Sequence, residues 1–421
     1  VKRPQNSTNP TSGQTVVYCA SLLGLFSLIS TAALGVQLPS LSSLRPATSR
    51  ALEAFIKGQT KFKNWGLGHS QNNSHIHAAE AWKIQQGSKN VVVAVIDTGI
   101  DAQHPDLAPN LWQDAKSKSS STTYGWDFVS EKANPRDDHG HGTHVAGIIG
   151  AVANLQSGTA GVAQKVSLMA VKYYSDKNSG AINLRNTIRA LDYAIDHGAQ
   201  IINYSGGGPE FSEEEYLAIK RAESRGILVV AAAGNERQNT DQRDHYYYPA
   251  AYGLKNIISV ASTDMDNNLL PSSNWGKTKV DVAAPGENIY STLPGGKHGY
   301  MTGTSQATGL VTGIAVLLKA QNPKLKPEDL KALIMRSVDH FPQLSNKIAS
   351  GGKVNAQLAL LALRQMQSPT PTLFGSAGKA LPILSLPGQG DPNDLDDTQS
   401  LSAKKAPPRA EPELERRAAA E

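Results

Sequence analysis

The chain has 421 residues, 39% hydrophobic and 18% charged, with 37 Gly, 23 Pro and a formal net charge of +5. That length suits one large α/β domain with extensions, or two domains. The small net charge, with no basic block interleaved with aromatics, argues against nucleic-acid binding. The single cysteine, Cys19, excludes an intrachain disulfide framework and a cysteine-based metal site.

No charged residue occurs between Arg3 and Arg45, and VVYCASLLGLFSLISTAALGV (16–36) is almost continuously apolar or small. Residues 1–36 therefore read as a signal peptide with a cleavage zone near Ala33 to Gly35. The run is also long enough to span a bilayer, so an uncleaved N-terminal membrane anchor is the alternative. Either reading puts the bulk of the chain outside the cytoplasm, extracellular or periplasmic. Residues 37–64 are expected to be a short pro-segment or linker, and globular patterning begins near Trp65.

From there strand-like and helix-like runs alternate. Strands are expected over NVVVAVIDTG (90–99), VSLMAVKYY (166–174), AQIINYSG (199–206), ILVVAAAGN (227–235), NIISVAST (256–263) and KVDVAAPG (279–286). Helices are expected over 144–154, 181–198, 212–226, 304–322 and 326–339. Strands apolar on both faces and separated by helices predict an α/β fold, a mostly parallel central sheet covered by helices on both faces. Ligand sites in such folds lie at the carboxyl ends of strands. Residues 364–421, rich in Pro, Ser, Ala and alternating charge, read as a low-complexity, disordered tail.

Four short boxes carry polar groups to strand ends or helix starts. Asp97 in VAVIDTGID (93–101) follows a fully apolar strand. His141 in DDHGHGTHVAG (137–147) is flanked by glycines just before a helix. His144 shares its helical face but lacks the Glu of an H-E-x-x-H metal site, so it is expected to pack structurally. His139 is expected on a surface loop. Asn235 ends the 227–235 strand, and Ser305 in GTSQATG (303–309) opens a helix, where backbone N–H groups point outward.

Together these residues supply what acyl transfer needs. Ser305 is a nucleophile once a base takes its proton, His141 is that base and later the acid, and Asp97 fixes the imidazole tautomer. Asn235 and the Ser305 N–H would aim donors at the charge that develops on the substrate oxygen. The order of these boxes does not fit an α/β-hydrolase elbow, which needs G-x-S-x-G and the order Ser, acid, His.

VIDTGID, GHGTHVAG, AAAGN and GTS resemble the Asp, His, Asn and Ser boxes of the subtilisin-like serine proteases, in that family's chain order. The resemblance extends over residues 65–363 and includes AAPG (283–286) and VNAQLAL (354–360). It implies the subtilisin-like three-layer fold and a serine endopeptidase acting on protein or peptide substrates as a monomer, with no cofactor required for chemistry. A catalytically silent peptide-binding member of the family is the alternative.

The resemblance also places INYSGGG (202–208) and YSDKNSGAI (174–182) on the two edges that hold an extended peptide, with Ser205, Gly206 and Gly207 against substrate. Ala232 and Gly234, ahead of Asn235, line the same cleft. The pocket floor is expected near HYYYPA (245–250), where Tyr247 replaces a small residue; if its ring points inward, the pocket is shallow. A structural calcium ion is implied at Asp106, with Asn154 in ANLQSGTAG (153–161) as a further ligand. Gln306 replaces the usual Met after the nucleophile and Gly309 the usual Pro, a change expected to loosen the helix start. His75 and His77 are expected on the surface.

Overall fold

In a computed structural model, which describes residues 47–68, 72–114 and 123–367, the apolar run around residue 93 becomes β1 (Gly87–Asp97). Its side chains alternate between two cores. Val93 and Val95 pack with Ile148, Leu310 and Ile314, while Ala94 and Ile96 pack with Leu191, Ile195 and Ile219. This period of two buries both faces of the strand, as a sheet covered on both sides requires.

The other strands are β2 (Gly125–Asp127), β3 (Lys132–Ala133), β4 (Lys165–Lys172), β5 (Ile201–Tyr204), β6 (Leu228–Ala232), β7 (Ile257–Thr263), β8 (Val282–Pro285), β9 (Ile289–Leu293), β10 (Lys297–Met301), β11 (Val338–His340) and β12 (Gly352–Val354). Ten of them form one sheet in the order β11-β12-β8-β7-β6-β5-β1-β4-β2-β3. The inner pairs are parallel, and the edge pairs β11–β12 and β2–β3 are antiparallel. β9 and β10 form a separate antiparallel hairpin. Because β4 lies on one side of β1 and β5 on the other, the strand order reverses at β1. The crevice at its carboxyl end is where such sheets bind ligands.

The helices are α1 (Ala47–Ile56), α2 (Ala78–Trp82), α3 (His141–Gly150), α4 (Gly180–Asp196), α5 (Glu213–Ser224), α6 (Thr304–Gln321), α7 (Pro327–Arg336), α8 (Pro342–Ser345) and α9 (Ala356–Gln367). α4 and α5 cover one face. Each starts at a serine, Ser179 or Ser212, whose hydroxyl accepts a backbone N–H of the first turn. α3, α6 and α9 cover the other face. α6 is buried from Thr304 to Lys319, as its apolar character on every side demands. Gly309 has a packing reason: a Cβ there would lie 3.0 Å from Ile148 Cγ2. The missing side chain lets α6 approach α3.

The sequence expectation is corrected at both ends. Of the expected short pro-segment or linker (37–64), the part from Ala47 is no loose linker: Leu52, Phe55 and Phe62 are buried, and the Phe55 ring lies 4.7 Å from Phe62 and 5.4 Å from Trp82. Ala51, Leu52 and Phe55 share one helical face, which buries them together. At the other end α9 carries order to Gln367, beyond the expected boundary at 363. The expected signal peptide or anchor (1–36) and the tail from residue 368 lie outside the described residues. No described helix is long and apolar enough to cross a membrane.

Candidate active site

β1 ends in Asp97, and its carboxylate, 4% exposed, meets the His141 ring at the start of α3. His141 Nδ1 lies 2.8 Å from Asp97 Oδ1 and 3.0 Å from Oδ2. A carboxylate can only accept, so Nδ1 carries the proton and Nε2 keeps a free lone pair. Burial alone would lower the His141 pKa; the Asp97 charge and hydrogen bond, with the Asp137 charge behind them, outweigh it and raise the pKa above the ordinary 6.5.

Asp137 is a site residue that sequence reasoning missed. Its buried carboxylate accepts from the Thr98 hydroxyl, the His139, Gly140 and Thr143 amides and the Thr143 hydroxyl. Thr98 in turn donates its amide to Asp97 and accepts from the Gly142 amide. Asp137 thus ties the end of β1 to the first turn of α3 and sets where His141 meets Asp97. Its signal was a carboxylate four residues before His141, at a glycine-rich helix entry. Below the turn, the buried Lys172 ammonium pairs with Asp138 and donates to the Arg136 carbonyl.

Ser305 lies in the first turn of α6 and is 8% exposed. Its Oγ donates to the Ser205 carbonyl at 3.1 Å. Ile96 faces Tyr204 in the β1–β5 register, so Asp97, the last residue of β1, and Ser205, the residue after β5, both lie at the carboxyl end of the sheet. Among the described residues no hydrogen bond joins Ser305 to His141; such contacts often tighten only when substrate binds. Asn235 sits beside the same helix end. Its Oδ1 accepts from the Thr304 amide at 3.0 Å and the Thr304 hydroxyl at 3.3 Å, so the exposed side chain keeps Nδ2 as a donor.

The strand β6 runs through Ala232 into Gly234, whose φ of +97° and crowded surroundings admit only glycine: a Cβ would fall 2.4 Å from the Glu236 carboxylate. Tyr247 lies between Gly207, on the expected edge 202–208, and Gly234. A Cβ on Gly207 would be 2.5 Å from Tyr247 Cε1, and one on Gly234 2.9 Å from Tyr247 Cδ2. The segment after β5 is fastened to this ring's neighbour, since Gly208 and Tyr248 exchange backbone hydrogen bonds of 3.0 and 2.8 Å. Gly206 rests on the Tyr173 hydroxyl, 2.0 Å from where a Cβ would be.

The remaining histidines divide. His139 is exposed, as expected. His144 is fully buried, donates Nε2–H to the Gly299 carbonyl at 3.3 Å, and is pushed down to about 4 by burial. His75 and His77 are half-buried rather than on the surface, and His77 Nε2 lies 3.1 Å from Asp339. The calcium expectation meets a donor set of the wrong kind. Asp106 is buried, and Asn154 presents its amide nitrogen to it at 2.8 Å, not its oxygen. His298 Nε2 and Ser157 Oγ take the other carboxylate oxygen at 2.7 and 3.2 Å. Calcium takes oxygen ligands, six to eight of them, and these residues do not fit it.

The Subtilase family model matches residues 88–360, the part of the chain that carries the carboxylate-bound imidazole at a strand end and the serine at a buried helix start. The chain belongs to that family. It is 38% identical over 285 residues to thermitase of Thermoactinomyces vulgaris, covering 68% of this chain and 93% of thermitase. It is 40% identical over 245 residues to the major intracellular serine protease of Bacillus subtilis (strain 168), covering 58% and 73% of the two chains. A solved cold-adapted subtilisin-like serine proteinase superposes with a TM-score of 0.53 at 29% identity, covering 64% of this chain and 88% of that one. The protein is a subtilisin-like serine endopeptidase.

Proposed function

We propose that this endopeptidase cleaves peptide bonds with Ser305 as nucleophile, His141 as base and then acid, and Asp97 as the group that fixes the imidazole. The observation that carries this reading is the two-oxygen grip of buried Asp97 on His141 Nδ1, which leaves Nε2 as the only basic nitrogen. Ser305 Oγ bonds to the scissile carbonyl carbon as its proton passes to Nε2. The carbonyl oxygen takes the negative charge and accepts from Asn235 Nδ2 and the Ser305 amide. His141 then gives the proton to the leaving nitrogen, the C–N bond breaks, and water hydrolyses the Ser305 ester by the reverse sequence. The raised pKa of His141 supports this role, because it favours the imidazolium formed at the first step.

The Tyr247 ring between Gly207 and Gly234 supports a shallow primary pocket that takes a small side chain, Ala before Phe, at the residue preceding the scissile bond. The apolar run 16–36 supports export, with the peptidase domain outside the cytoplasm.

Labelling by a fluorophosphonate probe tests the mechanism, using the full chain, since α1 is part of the packed body. Labelling that disappears in Ser305→Ala is expected. A folded parent that does not label would favour a silent peptide-binding protein instead.

A further inference from the structure

The carboxylate of Asp106 stands where the family resemblance implies a calcium ligand, yet every donor on it comes from the chain itself. Asn154 Nδ2 donates to Oδ1, while His298 Nε2 and Ser157 Oγ donate to Oδ2. The Asn154 amide cannot turn its oxygen toward an ion without loss. That oxygen already accepts from the Gln156 and Ser157 amides at 3.0 and 3.4 Å, and a turned amide would face them with N–H groups. His298 is held in place by its surroundings: its ring stacks on Tyr290 at 5.9 Å and meets His104 edge-on at 4.9 Å.

The loop after Asn154 is also braced by a protein cation. Lys63 donates its amide to the Gly158 carbonyl at 2.8 Å. Its ammonium lies 3.3 Å from the Tyr290 hydroxyl, which itself donates to the Ser157 carbonyl at 3.1 Å. On the far side, His104 accepts the Asp106 amide at Nδ1 and donates Nε2–H to the Lys297 carbonyl at 3.0 Å. Three chain-distant parts meet here: the turn after β1, the loop before β4, and the hairpin β9–β10 that leads into Ser305.

We propose that this protein locks Asp106 and the 153–161 loop with its own donors, chiefly His298 and Lys63, and binds no divalent cation there. His104, Asp106 and His298 do bring ligand atoms within 4.8 Å of one another, a set that would suit zinc by type. Zinc would nonetheless have to displace one of the two backbone partners that already hold both His104 nitrogens. Through His298, His104 and Tyr290 these hydrogen bonds fix the hairpin that leads into Ser305.

The test uses the full chain carrying Ser305→Ala, so that self-cleavage and catalysis play no part, and reads Tm in EDTA, in CaCl2 and in ZnCl2. Any shift between buffers is expected to be the same in the parent and in Asp106→Asn. His298→Ala is expected to lower Tm by several degrees in all three buffers, with no recovery in calcium. His298→Gln keeps an N–H donor on Asp106 and is expected to stay near the parental Tm; it replaces either other variant that does not fold. A calcium or zinc shift that is present in the parent and lost in Asp106→Asn would overturn the proposal. So would an unchanged Tm in His298→Ala, or a His298→Gln protein that calcium rescues.

Discussion

Removing the Tyr247 ring should change which peptides are cut. In Tyr247→Gly the space between Gly207 and Gly234 that the ring now fills becomes available to substrate. A Phe at the residue before the scissile bond presents roughly 120 Å² more apolar surface than Ala. At about 25 cal/mol per Å², burying it contributes about 3 kcal/mol, or roughly a hundredfold in kcat/KM. The parent should therefore cleave an Ala peptide faster than its Phe counterpart, and Tyr247→Gly should raise the Phe-to-Ala ratio of kcat/KM by about a hundredfold. The assay is a pair of fluorogenic peptides differing only at that residue. Enzyme concentration is set by fluorophosphonate titration, so that partial unfolding does not enter the ratio. A variant that labels normally and moves the ratio by less than about threefold, under 1 kcal/mol, would show that the ring does not limit the pocket. A parent that prefers Phe would refute the reading outright.

Other consequences follow from the groups around His141. With His141 as the proposed base, activity requires the neutral imidazole, so the acid limb of kcat/KM should lie above pH 6.5, the ordinary His value, because the folded pKa is raised. Asp137→Asn removes one of the charges that raise it, so that limb should move to lower pH while kcat falls about tenfold or more; an unmoved limb would count against Asp137 as a charge partner. His144 acts on stability with the opposite sign. Its folded pKa of about 4 lies below the unfolded 6.5, so the unfolded chain binds the proton first and stability falls as pH drops through that window. The loss is about 3 kcal/mol by pH 4, and urea titrations of Ser305→Ala at several pH values should show it, while His144→Gln should not. Gln306, buried next to Ser305, carries no sulfur, so mild peroxide should leave activity intact, whereas Gln306→Met should lose it progressively to sulfoxide formation.

The four candidate catalytic and oxyanion residues were legible in the sequence because each is placed by a local rule. Asp97 ends an apolar strand, His141 and Ser305 open helices, and Asn235 follows a strand at a glycine that needs φ of +97°. Strand and helix centres were legible too, β1 and β6 as short continuously apolar runs and α4 by its helical period. Contacts between chain-distant residues were not legible. α1 falls in a stretch that reads as a short pro-segment or linker because its apolar face is short; its packing against chain-distant residues such as Trp82 makes it core. Gly309 reads as a lost proline until Ile148 is seen against it. His298 carries no signal in the sequence, and Asp106 gives no hint that an imidazole 192 positions away will donate to it.

Asp137 shows where the boundary falls. It sits in the same sequence box as His141, yet four of its five hydrogen bonds go to groups of the same turn and one crosses to Thr98, just after β1. The local four build the helix entry, which any capping carboxylate could do. The fifth makes that entry and the end of β1 one unit, so the distance between Asp97 and His141 is set by a residue that touches neither side chain. A site assembled from strand ends and helix starts needs such a tie, because each element alone positions its own side chain but nothing beyond it.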